Sequence, residues 1–161
     1  MVKKILLWCA VIFMSLQIFG FSSKTAEESS GTSEKIARCV IETIYNVKEI
    51  DDSKKEEVFH AVHFLIRKGA HFAEFALLTL LVFFLAQSYG LKNTICAIIS
   101  LVYCLIFAST DEIHQLYVNG RSGEVRDVFI DFCGGVFSNA CIFIGFKIKN
   151  VYSTKNKKIH F

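Results

Sequence analysis

The composition of this 161-residue chain excludes an ordinary soluble domain, because 53% of its residues are hydrophobic and sixteen are phenylalanine. The formal net charge is only +3, and there is no glycine-rich phosphate loop or nucleic-acid motif, so nucleic acid is not expected as a partner. The partner that this composition predicts is the lipid bilayer.

Four apolar runs approach the length of about 20 residues that a helix needs to cross a bilayer. They are Ile5–Phe21, Phe72–Leu91, Thr94–Ser109 and Val125–Phe146. The chain contains no proline, so no helix is expected to be interrupted by one. The predicted fold is therefore all-α, an integral membrane bundle of four transmembrane helices.

The first run follows Met-Val-Lys-Lys, so it is either a retained helix or a secretory signal. Its apolar stretch exceeds the about 7–15 residues of a usual signal core, which favours an N-terminal transmembrane helix or uncleaved signal anchor over residues 1–21.

Residues 22–63 are predicted to form an extracytoplasmic linker with amphipathic helices on the outer surface of the bundle. The small, polar residues 22–32 are typical of a linker. Ser33 then precedes an apolar stripe at helical spacing that reaches Val47, and a capping box at Ser53 predicts a second helix. Residues 64–146 are left as the membrane domain and residues 147–161 as a basic cytoplasmic tail.

Lysines predict the orientation of the bundle, because cytoplasmic segments carry an excess of positive residues. With four spans, the N-terminus, the Tyr89–Asn93 turn and the C-terminal tail share one side, and those segments hold Lys3, Lys4, Lys92, Lys147, Lys149, Lys155, Lys157 and Lys158. We therefore expect a multi-pass protein of the cell membrane with both termini in the cytoplasm.

Polar and charged residues gather at the predicted outer ends of the last three runs. Lys68, His71 and Glu74 are spaced three apart on one helix face. The third run ends, and the fourth begins, with Asp111, Glu112, Gln115, Arg121, Asp127 and Asp131. Because a charge in the middle of a membrane helix costs about 2.5–3.5 kcal/mol, these side chains are expected to face a shared polar pocket.

Simpler interpretations of this cluster remain open. In one, the charges form an ion-pair network whose only role is to hold the helices together. In another, Asp127 serves only to stabilise the first turn of its helix. The pairs His71-x-x-Glu74 and Asp111-x-x-His114 also resemble the spacing of carboxylate-bridged metal sites. Lysine and arginine already supply compensating charge, so we expect no metal and no cofactor.

In the fourth run, small residues share one helical face and predict close packing against another helix. They are Gly134, Ser138, Cys141 and Gly145.

Three blocks of sequence resemble the VanZ-like family of small bacterial membrane proteins. The blocks are Lys68-Gly-Ala-His71-Phe-Ala-Glu74-Phe, then Asp111-Glu112-Ile-His-Gln115-Leu-Tyr-Val-Asn-Gly120-Arg121, then Asp127-Val-Phe-Ile-Asp131 with Gly134. Their order and spacing match the family over residues 64–146. Members commonly carry proline before Gly-Arg, where this chain has Asn119, which still suits a tight turn.

The resemblance implies a multi-pass bundle and a link to glycopeptide antibiotics, since the founding member is associated with reduced sensitivity to teicoplanin. It adds weight to the motif residues as a site. The predicted function is an outward-facing pocket that acts on or binds a cell-envelope component, with a lipid-linked or anionic envelope molecule as substrate.

Whether the chain is an enzyme stays open at this point. An enzyme would use Asp111 or Glu112 as base and His71 as proton carrier, with Lys68 and Arg121 holding an anionic group. The candidate catalytic set is His71, Glu74, Asp111, Glu112, Gln115, Asp127 and Asp131. The alternatives are a non-catalytic scaffold or lipid- or antibiotic-binding protein and, third, a proton-coupled carrier.

Overall fold

The computed structural model describes residues 1–45 and 52–159, and within those ranges it contains helices and no strand. The helices are α1 (Val2–Ser22), α2 (Ala26–Tyr45), α3 (Asp52–Gln87), α4 (Asn93–Gln115) and α5 (Val125–Ile159). Four segments are long and apolar enough to cross a membrane, namely Val2–Ser22, Glu56–Gln87, Asn93–Gln115 and Val125–Val151. The predicted all-α bundle with four spans is confirmed.

Helix α2 begins earlier than the sequence suggests. Residues 26–32, predicted as a linker, are helical. Ala26 is a strong helix former, and the acidic Glu27 near the N-terminus is favoured by the helix dipole, so small polar residues do not prevent the helix here. The far end of the predicted stripe, at Val47, lies outside the described residues.

Helix α3 joins two predicted elements into one. The helix expected to begin near Ser53 continues without a break into the second apolar run, because Gly69 alone is too weak a breaker to end it. At 36 residues, the helix is about 54 Å long. Its first half precedes the predicted apolar run that begins at Phe72 and contacts α2, where the Ser33 hydroxyl lies 2.8 Å from Nε2 of His63.

The end of α3 is also shorter than the predicted run. It stops at Gln87 rather than Leu91, and the turn that follows contains Gly90 with φ +81°. A positive φ favours glycine, which explains the sharp return into α4.

Helix α3 is the centre of the bundle and contacts all four other helices. Its buried face packs with α1 and α4 in a cluster of Val11, Ile18, Phe75, Leu78, Val82, Leu85, Cys104 and Ala108. Because α3 is surrounded, its polar side chains Lys68, His71 and Glu74 face other helices as well as the exterior.

Close packing of α5 is real but only partly as predicted. A Cβ on Gly134 would lie 2.3 Å from the carbonyl oxygen of Phe72, and Ser138 is buried. Cys141 is exposed, and nothing lies within 4 Å of a Cβ on Gly145, so the predicted small-residue contact is wrong for these two residues. The four residues share a face, but no described helix covers that face around Cys141 and Gly145.

The two ends of the bundle differ in chemistry. At one end the Trp8 indole donates a hydrogen bond of 3.0 Å to the Tyr89 hydroxyl, and the Lys4 ammonium lies 4.2 Å from the Tyr89 ring centroid. The start of α1 therefore lies beside the α3–α4 turn. The last turn of α1 lies at the opposite end, beside Arg121 in the α4–α5 loop.

Candidate functional site

Arg121 joins the α4–α5 loop to the end of α1. It follows the predicted Asn119-Gly120 turn, in which Gly120 has φ +75°. Its Nε donates to the carbonyl oxygen of Lys24 at 3.0 Å and its Nη2 to that of Phe21 at 3.2 Å. The guanidinium thus ties the loop to the last turn of α1 and to Lys24 just after it.

The environment of Arg121 is unfavourable for its charge. Partial burial lowers the pKa of the Arg121 guanidinium below its ordinary value, and the positive charge of Arg67 lowers it further. Arg121 forms no ion pair with a described carboxylate, since its remaining bond of 3.2 Å goes to the amide oxygen of Gln115.

Gln115 organises two buried carboxylates at the end of α4. Its amide Nε2 donates to Asp111 at 3.0 Å and to Glu112 at 3.2 Å. The second oxygen of Glu112 accepts the backbone N–H of Glu124 at 2.9 Å. Glu112 therefore links α4 to the segment that begins α5, and all three α4 side chains are buried.

Lys68 of α3 pairs with Asp127 in the first turn of α5. Both side chains are largely buried, so this contact is shielded from solvent and from salt. The Lys68 ammonium is therefore already neutralised by a carboxylate.

His71 lies beside Asp131, with 3.9 Å between Nδ1 and the nearer carboxylate oxygen. Asp131 is 1% exposed, and neither carboxylate oxygen has a hydrogen-bond partner within residues 1–45 and 52–159. The charges of Asp111, Glu112 and Asp127 all act on it. Asp131 is thus the centre of a crowded group of buried acids.

A pocket of about 180 Å³ adjoins this network. Its wall combines apolar and charged side chains from α1, α2, α3 and the α4–α5 loop. They are Phe21, Lys24, Ser33, Ile36, Ile66, Arg67, Ala70, His71, Glu74 and Arg121.

The structure divides the predicted site residues into two groups. His71, Glu74 and Arg121 line the pocket. The others lie behind them, in the ion pair and the carboxylate network, namely Lys68, Asp111, Glu112, Gln115, Asp127 and Asp131. The predicted convergence of charged side chains therefore produces one wall of a pocket and a layer of buried support.

Two basic residues of the pocket are absent from the predicted site, Arg67 because it is interpreted from the sequence as an ordinary solvated charge near the membrane surface. Arg67 lies four residues before His71, and this helical spacing would have identified it. Lys24 had no comparable signal, because it follows the end of α1 and reaches the pocket only through the packing of that helix.

His114 does not join the site. Its ring stacks on Phe19 with 4.2 Å between centroids, and its Nε2 lies 3.0 Å from the Ser23 hydroxyl. Asp111 and His114 consequently point to different neighbours. Within the described part of the chain, no three His, Cys, Asp or Glu residues form a group suited to a metal.

Fold and site together define an integral membrane helical bundle with a network of buried charged groups and a pocket at one end. The chain belongs to the VanZ/LLP1 family, whose model matches residues 5–146. Searches of curated proteins and of solved structures gave no significant match. The family match begins well before the motif blocks, so it includes α1 and α2, which contribute Phe21 and Ile36 to the pocket.

Proposed function

We propose that this membrane protein binds a lipid-linked or anionic component of the cell envelope in the pocket, and that it thereby lowers sensitivity to glycopeptides such as teicoplanin. The observation that carries this proposal is the pocket wall of His71, Glu74 and Arg121, backed by buried carboxylates. Ionisable residues inside a membrane bundle are costly and by default indicate a functional site.

Stability alone is a poor explanation for this network. Replacing a buried ion pair by well-packed apolar residues is often neutral or stabilising, so a bundle selected only to hold together does not need one. One oxygen each of Asp111 and Asp127, and both of Asp131, have no hydrogen-bond partner in the described residues. Buried acceptors without partners are costly, which is a second argument against a role in stability alone.

The pocket is proposed to face the extracytoplasmic side. It lies at the end of the bundle opposite Lys4 and the α3–α4 turn, which carries Lys92. Positive residues favour the cytoplasmic face, so we propose that both termini lie in the cytoplasm. A ligand would then enter from the outer leaflet or from the medium.

Acid–base catalysis is the second candidate, because His71 lies between the pocket and Asp131. A carboxylate behind a histidine orients the imidazole and stabilises its charged form. In this version His71 and Glu74 reach the substrate, while Asp111 and Glu112 hold the site in place.

A proton-coupled carrier is less well supported. Towards the other side, Ser100 and Asn139 are bonded to each other, with Nδ2 of Asn139 3.2 Å from the Ser100 hydroxyl. Thr79 donates to the carbonyl of Phe75 at 2.8 Å. These groups are used in packing and do not continue the pocket inward.

The test compares glycopeptide susceptibility and envelope lipids in cells that produce wild-type protein, Glu74→Gln or His71→Asn at matched membrane abundance. Glu57→Gln and His60→Asn are matched controls, because both residues are exposed on the same helix. We expect the pocket variants to restore susceptibility to the level of cells without the protein, and the controls to behave as wild type.

Wild-type behaviour of both pocket variants would refute the proposal. The two candidate functions separate in ligand binding by purified protein. A His71→Asn variant that binds the envelope component normally but is inactive in cells indicates catalysis. Loss of binding together with loss of the cellular effect indicates a binding protein.

A further inference from the structure

Three cationic side chains at the pocket have no carboxylate partner among the residues that the structure describes. Lys24, Arg67 and Arg121 all line it, and none forms an ion pair with a described residue. The buried Nε of Arg67 also has no hydrogen-bond partner within the described ranges. Among the described lining residues Glu74 is the single acid, so this part of the wall carries an excess of positive charge.

The other arginines of the chain show the contrast. Arg38 pairs with Glu34 at 2.6 Å, and Arg126 pairs with Glu124 at 2.9 Å, both with exposed side chains. The two pocket arginines, in contrast, are half-buried and form no ion pair with a described carboxylate, although the charges of Asp111 and Glu112 act on Arg121. A partly desolvated, unpaired cation is unfavourable, and an anion between two of them removes the cost.

The position of these cations suits the surface of the membrane. Lys24 follows the end of α1 and Arg121 lies in the α4–α5 loop, and such connections lie outside the hydrocarbon core unless they are buried in protein. The same pocket has an apolar wall of Phe21, Ile36, Ile66 and Ala70. The cations and the apolar wall would thus provide adjoining surfaces for the charged head group and the apolar chain of an amphiphile.

We propose that the pocket binds the phosphate group of a membrane amphiphile through Arg67, Arg121 and Lys24, with the apolar wall accommodating the start of its chain. A guanidinium fork matches the geometry of phosphate oxygens, and the Nε of Arg67 has no hydrogen-bond partner among the described residues. Arg121 already donates three hydrogen bonds, so it would contribute its charge and its remaining N–H groups. This inference rests on the proposed function, in that it takes the same pocket as the binding site and names the chemical class of its ligand.

This assignment differs from the pair of cations that the sequence suggests. The sequence predicts that Lys68 and Arg121 together hold the anion, but the Lys68 ammonium already pairs with Asp127. Arg67 faces the pocket instead. The prediction for Lys68 remains untested, and Arg67 is the residue whose substitution tests the inference.

The experiment uses full-length protein in a neutral detergent and measures bound lipid by native mass spectrometry. Phosphatidylglycerol is titrated against diacylglycerol with the same chains, which lacks the phosphate. We expect phosphatidylglycerol to bind about tenfold or more tightly, and Arg67→Gln to weaken its binding by a similar factor. Arg126→Gln, which removes an exposed and paired arginine, should bind as wild type.

Two further arms separate the sources of the phosphate. Inorganic phosphate should displace phosphatidylglycerol at high concentration, because it competes for the same cations. Glycerol phosphate should bind more weakly than the lipid, and equal affinity would overturn the requirement for an amphiphile. Equal binding of diacylglycerol and phosphatidylglycerol by the wild type would overturn the phosphate site, whether or not Arg67→Gln folds.

Failure of this inference is distinguishable from failure of the proposed function. If Arg67→Gln loses phosphate binding while no pocket variant changes glycopeptide susceptibility, the phosphate site stands and the cellular function is wrong. If the Glu74→Gln variant restores susceptibility while Arg67→Gln binds phosphatidylglycerol as wild type, the function stands and the phosphate site is wrong.

Discussion

Lys68 and Asp127 form an ion pair that joins α3 to α5 beside the pocket, with only 11% and 12% of their side chains exposed. The pair brings together the first and third of the motif blocks, which are far apart in the chain. It also occupies both charges, so neither group is free to act alone on a ligand.

Removing one partner of this pair should destabilise the protein strongly. Lys68→Met leaves a buried carboxylate without its cation, and the expected loss is about 3–5 kcal/mol in the free energy of unfolding. Asp127→Leu should cost a similar amount, whereas the double variant should recover most of it. Reversible unfolding in mixed detergent micelles measures the free energy of unfolding of the wild type, both single variants and the double variant. Additive losses in the double variant would contradict the buried pair.

Arg121 should hold the end of α1 against the loop. Arg121→Gln removes the hydrogen bonds to the carbonyls of Phe21 in α1 and of Lys24 just after it, and each bond to a charged donor contributes about 1.5–3 kcal/mol. We expect faster hydrogen exchange at the last turn of α1 and lower thermal stability. Arg126→Gln is the matched control, and equal exchange in the two variants would count against the contact.

Glu112 is expected to act by anchoring the loop. Both of its oxygens accept hydrogen bonds, from Gln115 and from the backbone of Glu124. Glu112→Gln replaces one acceptor by a donor, so it should lower the free energy of unfolding by about 1–3 kcal/mol. Thermal unfolding measures this change. A variant of normal stability without any activity in cells would instead identify Glu112 as a base.

Gly134 should tolerate no side chain. A Cβ there would lie 2.3 Å from the carbonyl oxygen of Phe72, so Gly134→Ala forces α3 and α5 apart at an expected cost of about 1–3 kcal/mol. Gly145→Ala is the control in the same helix, because nothing surrounds that position. Thermal unfolding compares the two, and equal stability would refute the close approach.

Cys39 provides a native probe of membrane orientation. It is exposed on α2, on the side proposed to be extracytoplasmic, and Cys9 and Cys141 lie within membrane spans. A membrane-impermeant maleimide should label intact cells at Cys39, and Cys39→Ser should remove the label. Labelling that requires permeabilised cells would reverse the proposed orientation.

Local patterns were sufficient for several features of the structure. The four apolar runs predicted the four candidate spans, because hydrocarbon thickness sets the length of a membrane helix. The Asn119-Gly120 pair predicted the turn before Arg121, since Gly120 adopts the positive φ that favours glycine. The gathering of charges at the helix ends predicted a polar region there.

The neighbour that each polar side chain of that region contacts was not predictable in the same way. Lys68, His71 and Glu74 share a helix face, yet the first pairs with Asp127, the second lies beside Asp131 and the third lines the pocket. Spacing places residues on a face of their own helix. It does not say which neighbour each side chain meets, because that depends on how α5 crosses α3.

The sequence by itself determined the class of the protein, its spans and the chemistry available at one end, since hydrophobicity and turn preferences act over a few residues. Tertiary structure alone decided that α1 and α2 complete the pocket, that Arg67 and Lys24 face it, and that Gly134 is covered while Gly145 is not. Those outcomes depend on contacts between residues distant in the chain, and a local sequence pattern does not determine which helix packs against which.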